Sequence, residues 1–401
     1  MLLGIDKLMA DQGLQAGLAG RRVALLAHPA SLNKDMLHSI DVIAGCGSMK
    51  LSSAFGPQHG MRGEKQDNMI ESEDYLDPLH QIPVYSLYGR VRKPTQHMMD
   101  SFDVIMIDLQ DIGCRVYTFM TTLLYVMQEC AKAGKSVWIL DRPNPAGRPV
   151  EGFILQKGWE SFVGSGPLPM RHGLTLGETA LWFKTLHKID VDLEVVTMEG
   201  YRPDEPPGFG WPRGELAWVN PSPNATTPFM TRCYPGTVLV EGTHFSEGRG
   251  TTHPLEVVGA PDLDMKAVLG WMHANGADWM RGCRVRPCFF EPTFNKHSGK
   301  MCNGFQIHTD DGAYRHQEFK PYRIVALFLK AVRTLWPNYN IWRSFHYEYE
   351  SERLAIDIIN GGQGLRAWVD DMAATVERFD KVLQAEESEW IETRKAFLLY
   401  K

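Results

Sequence analysis

The stretch "DVIMIDLQD" (residues 103–111) decides the fold, because it sets four consecutive apolar residues between two aspartates. Nearly continuous apolar strands that alternate with helices are typical of a parallel sheet covered on both faces. The first half of the chain therefore predicts a doubly wound α/β domain. Comparable apolar runs occur at 21–31, 51–57, 82–89, 136–145 and 191–200, separated by helical patterns at 34–45, 94–101, 117–133 and 175–188.

The second half of the chain has a different pattern. Residues 201–235 are dense in Pro and Gly but also contain several Trp and Phe residues, which predicts an ordered loop or a boundary. We therefore predict two domains: residues 1–200, which carry most of the site loops, and residues 201–401, a smaller α+β domain that closes a cleft. The second domain is predicted from strand-like runs at 237–242, 283–290 and 303–309 and helical patterns at 264–275, 321–335 and 363–399.

The composition argues against several classes of protein. The net charge of -6 over 401 residues disfavours a nucleic-acid partner, which needs a basic surface. Seven dispersed cysteines without a CxxC pair predict neither a zinc site nor a disulfide framework. No run has the apolar length of a membrane span, and Asp6 and Asp11 lie where a signal peptide needs apolar residues. We therefore expect a cytoplasmic protein without membrane or nucleic-acid partners, of unknown oligomeric state.

Polar sequence punctuated by glycine follows nearly every predicted strand of the first half. The examples are "HPAS", "GPQHGMRGEK", "YGRVRKP", "DLQDIGCRVYTF" and "LDRPNPAG". Because the carboxyl ends of parallel strands meet at one edge of a sheet, these loops predict a ligand site at that edge. The candidates in the second of these loops are Gln58, His59, Arg62 and Glu64.

The loop "DLQDIGCRVYTF" (108–119) has the most varied chemistry. Asp108 and Asp111 end the predicted strand, and Arg115 and Tyr117 lie where the next helix starts. A carboxylate beside an arginine can act as an acid or base, or can hold a polar ligand. The alternative is an aspartate that caps the helix and an arginine that pairs with it. We expect these residues to belong to a functional site, with Asp111 a candidate for catalysis and the others candidates for contacts with a ligand.

Two further loops of the first domain supply weaker candidates. Asp141, Arg142 and Asn144 in "LDRPNP" (140–145) either face a ligand or bond the backbone amides of a rigid turn. Arg171 and His172 precede the amino terminus of a predicted helix, where anions are favoured.

The second domain adds candidates that would reach the site from the other side. Glu241, Glu247 and Arg249 lie among small residues in "VEGTHFSEGRGTTHPLE" (240–256), and Asn224 lies in "PSPN". Glycines on both sides of Arg249 permit close approach of a ligand. Ordinary turn and surface roles are the alternative for all four residues.

The sequence lacks the motifs of several common classes of enzyme. No GxGxxG follows the first strand, and the sequence has no Walker loop, GxSxG elbow or HExxH spacing. We therefore expect no cofactor and no metal, and metal-free acid–base chemistry is the leading hypothesis.

An ordered set of motifs resembles the bacterial exo-β-N-acetylmuramidase family of NamZ type. The resemblance implies a Rossmann-like amino-terminal domain, a smaller carboxy-terminal domain and a cleft between them. It also implies release of terminal N-acetylmuramic acid from small peptidoglycan fragments, with Arg115, Arg171 or Arg249 as partners of the sugar's carboxylate. The motifs are "GPQHGMRG", "IPVYSLYG", "DLQDIGCRVYTF", "LDRPNPAG", "SFVGSGPLPMRHGLTLGE", "WVNPSPN", "YPGTVLVEGTHFSEGRGTT" and "GAP".

One position departs from the family pattern. Members of the family commonly have Glu-His-Gly where this chain has Gln58-His59-Gly60, and glutamine cannot transfer a proton as glutamate does. The hypothesis is a glycosidase in which Asp111 or Glu64 is the acid and Glu247 is its partner. Recycling of imported wall fragments would fit a cytoplasmic enzyme. The alternatives are an amino-sugar-binding protein without hydrolysis and a nucleotide-dependent enzyme.

Overall fold

A seven-stranded sheet forms the first part of the molecule. The computed structural model describes residues 1–63, 65 and 69–401. Its larger sheet contains β1 (Arg22–Ala27), β2 (Lys50–Gly56), β3 (Tyr75–Leu76), β4 (Pro83–Ser86), β5 (Val104–Asp108), β6 (Ser136–Leu140) and β7 (Asp192–Val196). The strand order is β3-β4-β2-β1-β5-β6-β7, and every neighbouring pair is parallel except β3 with β4.

The strand order fixes where a crevice forms. From β1 the chain moves outward through β2 to β4, then returns and continues outward on the other side through β5, β6 and β7. The direction reverses between β1 and β5, which pair from Val23 with Val104 to Ala27 with Asp108. Ligands of open α/β sheets bind at such a reversal, beyond the carboxyl ends of the strands. The predicted doubly wound, Rossmann-like fold is confirmed.

Helices cover both faces of this sheet. The helices of the first part are α1 (Gly4–Ala10), α2 (Gln12–Ala16), α3 (Ser39–Ala44), α4 (Gln96–Met99), α5 (Phe119–Ala133) and α6 (Leu176–Leu186). Helix α5 ends at Gly134, which adopts the left-handed conformation that glycine favours. Helix α6 begins with a capping box formed by Thr175 and Glu178.

The second part is a smaller α+β unit, as predicted. Its sheet is antiparallel in the order β8-β10-β9, with β8 (Val257–Ala260), β9 (Arg284–Phe290) and β10 (Cys302–His308). Its helices are α7 (Pro228–Thr237), α8 (Met265–Gly276), α9 (Pro321–Leu335), α10 (Ala355–Asn360), α11 (Gly364–Asp370) and α12 (Val376–Arg394).

Two sequence predictions for this part are wrong. Residues 237–242 do not form a strand, because Val238–Gly242 continue from α7 as a 3₁₀ helix. The apolar run resembles a strand because Val238, Leu239 and Val240 are all fully buried. The pattern at 363–399 is not one helix, since the chain leaves α11 at Asp371 and begins α12 only after Thr375, which caps it.

The carboxy-terminal residues pack back onto the first part. The Trp390 ring on α12 meets Trp182 on α6 edge to face at 5.2 Å. The Tyr400 hydroxyl donates to Asp141 at 2.7 Å, and Arg148 donates to the Tyr400 carbonyl at 3.0 Å. The main hydrophobic core includes residues from both halves of the sequence. The division at residue 200 stays a prediction.

Candidate active site

A polar cavity lies at the carboxyl ends of β2 and β5, against segments of the second half of the chain. Its volume is about 40 Å³, so a sugar ring needs the lining to open further. Six residues predicted from the sequence line it: Gln58, His59, Tyr117, Asn224, Glu241 and Arg249. Other lining residues include Ile112, Thr118, Ser222, Tyr234, Tyr347 and Glu348.

The loop after β2 directs Gln58 and His59 into the cavity. A Cβ atom on Gly56 would lie 2.7 Å from the Met61 nitrogen, so this tight turn requires glycine. His59 has a φ of 72°, and its Nδ1 lies 2.9 Å from the Lys65 carbonyl oxygen. The Gln58 Oε1 accepts a hydrogen bond from Thr118 at 2.7 Å. The amide of Gln58 is therefore held in one orientation.

Glu348 lies opposite Gln58, on the tip of a turn in the second half of the chain. Tyr347 and Glu350 exchange backbone hydrogen bonds at 3.1 and 2.9 Å, and φ is 46° at Glu348 and 72° at Tyr349. Two positive φ values are typical of a type I′ turn, which usually contains Gly, Asn or Asp. For glutamate and tyrosine this conformation costs about 1–2 kcal/mol per residue. Strained backbone of this kind concentrates at functional sites.

The surroundings of Glu348 favour its protonated form near neutral pH. The side chain is buried, with 7% of its surface exposed. Tyr88 donates to Oε2 at 2.9 Å, and the Gln58 amide donates to Oε1 at 3.3 Å. Burial raises the pKa of Glu348 to about 7, the charge of Glu241 adds to this rise, and the Tyr88 hydrogen bond opposes it. A carboxyl group with such a pKa can give up a proton at neutral pH.

The second carboxylate of the cavity, Glu241, is held by charged and hydroxyl partners. Arg249 donates to one oxygen at 2.5 Å, and the Tyr347 hydroxyl donates to the other at 2.9 Å. Arg249 also pairs with Glu247 at 3.2 Å, and Lys296 pairs with the other oxygen of Glu247 at 2.7 Å. Burial acts to raise the pKa of Glu247, but Lys296 and Arg249 outweigh it and hold the pKa below its ordinary value. Both carboxylates therefore have cationic partners.

Asp111 lies beside the cavity, and in the described part of the chain the lining includes its neighbour Ile112 but not Asp111. One Asp111 oxygen accepts from the Gly113 amide at 2.7 Å, and the same oxygen is 3.8 Å from His172 Nε2. Burial raises the pKa of Asp111 to about 7 and lowers the pKa of His172 to about 3. Near its pKa, Asp111 is partly protonated at pH 7, and His172 is neutral.

Among the described residues, the cavity lining includes Arg249 but not the other predicted arginines, which bond other protein groups. Arg115 is fully buried and donates to the carbonyls of Phe153, Leu168, Ile359 and Asn360. Arg171 donates to the carbonyls of Ala146 and Phe319. Arg142 pairs with Asp108, and Arg62 pairs with Asp77. These contacts hold loops together.

Two other predicted residues also bond the surrounding loops. Asp141 accepts from Thr175, Tyr400 and the Gly177 amide. Asn144 donates to the carbonyls of Gly147 and Leu174. Glu64 lies outside the described residues.

The sequence analysis missed Glu348, although its carboxyl group lines the cavity. The stretch "FHYEYESE" (345–352) has glutamates at three alternate positions, and nothing in it distinguishes the one that faces inward. Tyr88 lies in the motif "IPVYSLYG", but that motif does not mark it as the partner of an acid. The one signal in the sequence is a segment in which aromatic and acidic residues alternate.

Neither a metal centre nor a membrane-spanning helix is found among the described residues. They contain no group of three or more His, Cys, Asp or Glu side chains arranged to hold a metal ion. Among the helices of residues 1–63, 65 and 69–401, none has the length and apolar character needed to cross a bilayer.

Comparison with known proteins identifies the family. The family models for the amino- and carboxy-terminal parts of exo-β-N-acetylmuramidase NamZ match residues 23–228 and 232–400. The peptidoglycan β-N-acetylmuramidase NamZ of Bacillus subtilis is 35% identical over 99% of this chain and 91% of its own length.

Solved structures agree with this assignment. A DUF1343 family protein from Bacteroides fragilis superposes with a TM-score of 0.85 at 26% identity, over 100% of this chain and 99% of the other. A second protein of that description from the same organism has a TM-score of 0.74 at 24% identity, with the same coverage, and shows the fold alone. The chain therefore belongs to the exo-β-N-acetylmuramidase NamZ family, as its motifs predicted.

Proposed function

We propose that this protein is a glycoside hydrolase that releases a terminal N-acetylmuramic acid-like sugar from small peptidoglycan fragments. Membership of the NamZ family and the name of the Bacillus subtilis relative support the substrate class. The observation that carries the mechanism is Glu348, a buried carboxyl group with a pKa of about 7 that faces Gln58 across the cavity. Action in the cytoplasm, in the recycling of imported wall fragments, stays a prediction.

Glu348 is the general acid in this proposal. Glycosidic bond cleavage needs a proton on the leaving oxygen as the bond between that oxygen and the sugar C1 breaks. The protonated Glu348 supplies this proton, while Tyr88 and Gln58 hold its carboxyl group in place. Gln58 thus keeps a role at the family's glutamate position, as a hydrogen-bond donor rather than an acid.

Glu241 is the second carboxylate. Its two oxygens accept hydrogen bonds from Arg249 and Tyr347, and the group faces the same cavity as Glu348. It either takes the proton of the attacking water, whose oxygen bonds C1, or bonds C1 itself in a first step. Asp111 and Glu247 stay predictions; in the described part of the chain, neither of them is among the residues that line the cavity, whereas Glu241 is.

The test is mass spectrometry of products from a β-linked N-acetylmuramic acid–N-acetylglucosamine disaccharide. The unmodified protein should release both monosaccharides, and Glu348→Gln should release them roughly 10²–10⁴ times more slowly. The matched control is Glu352→Gln, which changes an exposed glutamate of the same segment and should retain full activity. Hydrolysis by Glu348→Gln at the unmodified rate would remove Glu348 from the mechanism. An absence of products from the unmodified protein would reject hydrolysis of this substrate.

The second candidate function is an amino-sugar-binding protein without hydrolysis. One observation favours it: the glutamate expected at position 58 is glutamine, and both ends of its amide are engaged by Thr118 and Glu348. Titration calorimetry with the same disaccharide separates the two candidates. Tight binding without products supports the binding protein, whereas turnover excludes it.

A further inference from the structure

A groove beside Glu348 is separate from the cavity and more open. It is lined by Arg92, Lys93, Tyr125, Phe162 and Tyr349, among others, and has a volume of about 630 Å³. Small-molecule sites typically have volumes of about 300–1,000 Å³. The cavity has only about 40 Å³, so the bulk of a disaccharide must lie outside it.

We propose that this groove binds the leaving part of the substrate, namely the next sugar of an anionic saccharide chain. The proposal rests on the proposed function, because it takes Glu348 as the acid that protonates the leaving oxygen. That oxygen belongs to the departing sugar, so this sugar must lie next to the acid. Glu348 lines both the cavity and the groove.

The turn at Glu348 presents successive side chains to the two spaces. The Glu348 carboxyl group contacts Gln58 in the cavity. The Tyr349 ring, 59% exposed, stacks against the Arg92 guanidinium at 3.9 Å in the groove. Arg92 also lies 4.6 Å from the ring of Tyr88, which bonds Glu348. Arg92 therefore contacts both Tyr349 in the groove and Tyr88, the hydrogen-bond donor to Glu348.

The walls of the groove combine aromatic rings with positive charge. Tyr125 on α5 lies 6.2 Å from Phe162, and Lys93 Nζ lies 4.6 Å from the centre of the Tyr125 ring. Aromatic rings offer flat apolar faces of the kind that the C–H face of a sugar covers. Glu348 and Glu350 also line the groove, but in the part of the chain that the structure describes neither forms an ion pair with Lys93, so the charge of Lys93 is available to a substrate carboxylate. An anionic saccharide complements both features.

The test compares two substrates that differ only in their leaving group. N-acetylmuramyl fluoride has no leaving sugar, whereas the β-linked disaccharide has one. Tyr125→Ala should lower kcat/KM for the disaccharide roughly threefold to tenfold, since an aromatic contact is worth about that much. The same variant should leave hydrolysis of the fluoride unchanged. Tyr125→Leu keeps the apolar bulk and serves if the alanine variant does not fold.

Lys93→Gln tests the charge separately. It should lower kcat/KM more for a tetrasaccharide with a second muramic carboxylate than for the disaccharide, and added salt should reduce the difference.

The matched control for Tyr125→Ala is Phe289→Ala, which removes an aromatic ring that is 71% exposed on β9. Phe289→Ala should leave kcat/KM unchanged for both the fluoride and the disaccharide. Equal losses on the fluoride and the disaccharide, or no loss on either, would overturn the groove assignment.

Failure of the proposed function can be distinguished from failure of the groove assignment. If the unmodified protein cleaves neither substrate, the proposed function fails, and calorimetric titration with the disaccharide and the tetrasaccharide tests the groove alone. Weaker binding of the disaccharide by Tyr125→Ala, and of the tetrasaccharide by Lys93→Gln, than by the unmodified protein would then support the groove. Unchanged affinity in both variants would reject it.

Discussion

Replacing Glu348 by glutamine should greatly slow turnover and yet stabilise the fold in mild alkali. The reason is the cost of ionising a buried carboxyl group, whose pKa is raised from 4.5 to about 7. Below pH 4.5 the group is protonated in both the folded and the unfolded protein and contributes no penalty. As the pH rises towards 7, the unfolded chain loses the proton first, and stability falls.

The size of the effect follows from this difference in pKa. A rise from 4.5 to about 7 corresponds to about 3 kcal/mol of lost stability once the pH exceeds 7. Glutamine never ionises and so avoids this loss. The hydrogen bond from Tyr88 to glutamine is weaker than the one to ionised glutamate, which reduces the gain in stability by about 1 kcal/mol. The net gain at about pH 8.5 is thus about 2 kcal/mol, or about 2–3 °C in Tm for a chain of this length.

Calorimetric unfolding of both proteins at about pH 5 and about pH 8.5 checks this prediction. Glu348→Gln should be the more stable of the two only at the higher pH, and its kcat on the disaccharide should fall by roughly 10²–10⁴. The control Glu352→Gln should show neither effect. A Tm difference that is the same at both pH values would refute the reasoning, because it would mean that the pKa of Glu348 is the same in the folded and the unfolded protein.

Three further outcomes are expected. Tyr88→Phe removes a donor to ionised Glu348, so the pH above which kcat/KM falls should rise by roughly one unit; an unmoved profile would contradict the proposed acid. Asp111→Asn should keep turnover within about tenfold, and a loss of about 10³ would restore Asp111 as the acid. Arg115→Met should lower the free energy of unfolding by about 3–5 kcal/mol, because four carbonyl oxygens lose a charged donor. Denaturant titration measures this change, and the control Arg90→Met, at an exposed position, should show none.

The sheet was predictable because a strand that is buried on both faces must be apolar at almost every position. The runs at 22–27, 104–108 and 136–140 are apolar at almost every position, as strands covered by helices on both sides must be. The same rule gave the wrong result at Val238–Gly242, where a 3₁₀ helix is buried on all sides. Periodicity cannot separate a short buried helix from a strand.

The site was only partly predictable, for two physical reasons. A sequence shows which side chains carry charge but not what pairs with them, so Arg115 and Arg171 resembled ligand-binding residues although their donors meet backbone carbonyls. The position of Glu348 depends on a turn that is 290 residues away from Gln58. That turn has positive φ at Glu and Tyr, whereas sequence signals for such turns rely on Gly, Asn or Asp.

The return of the carboxy-terminal residues onto the first part of the molecule affects how the protein is made. Tyr400 bonds Asp141 and Arg148, and Trp390 packs on Trp182, so residues 390–400 cover part of the first unit. Domains of a nascent chain usually fold in the order of their synthesis. Here Trp390 and Tyr400 are synthesised long after the strands of the first sheet, so the surfaces that they cover on Trp182 and Asp141 stay exposed in the nascent chain until then.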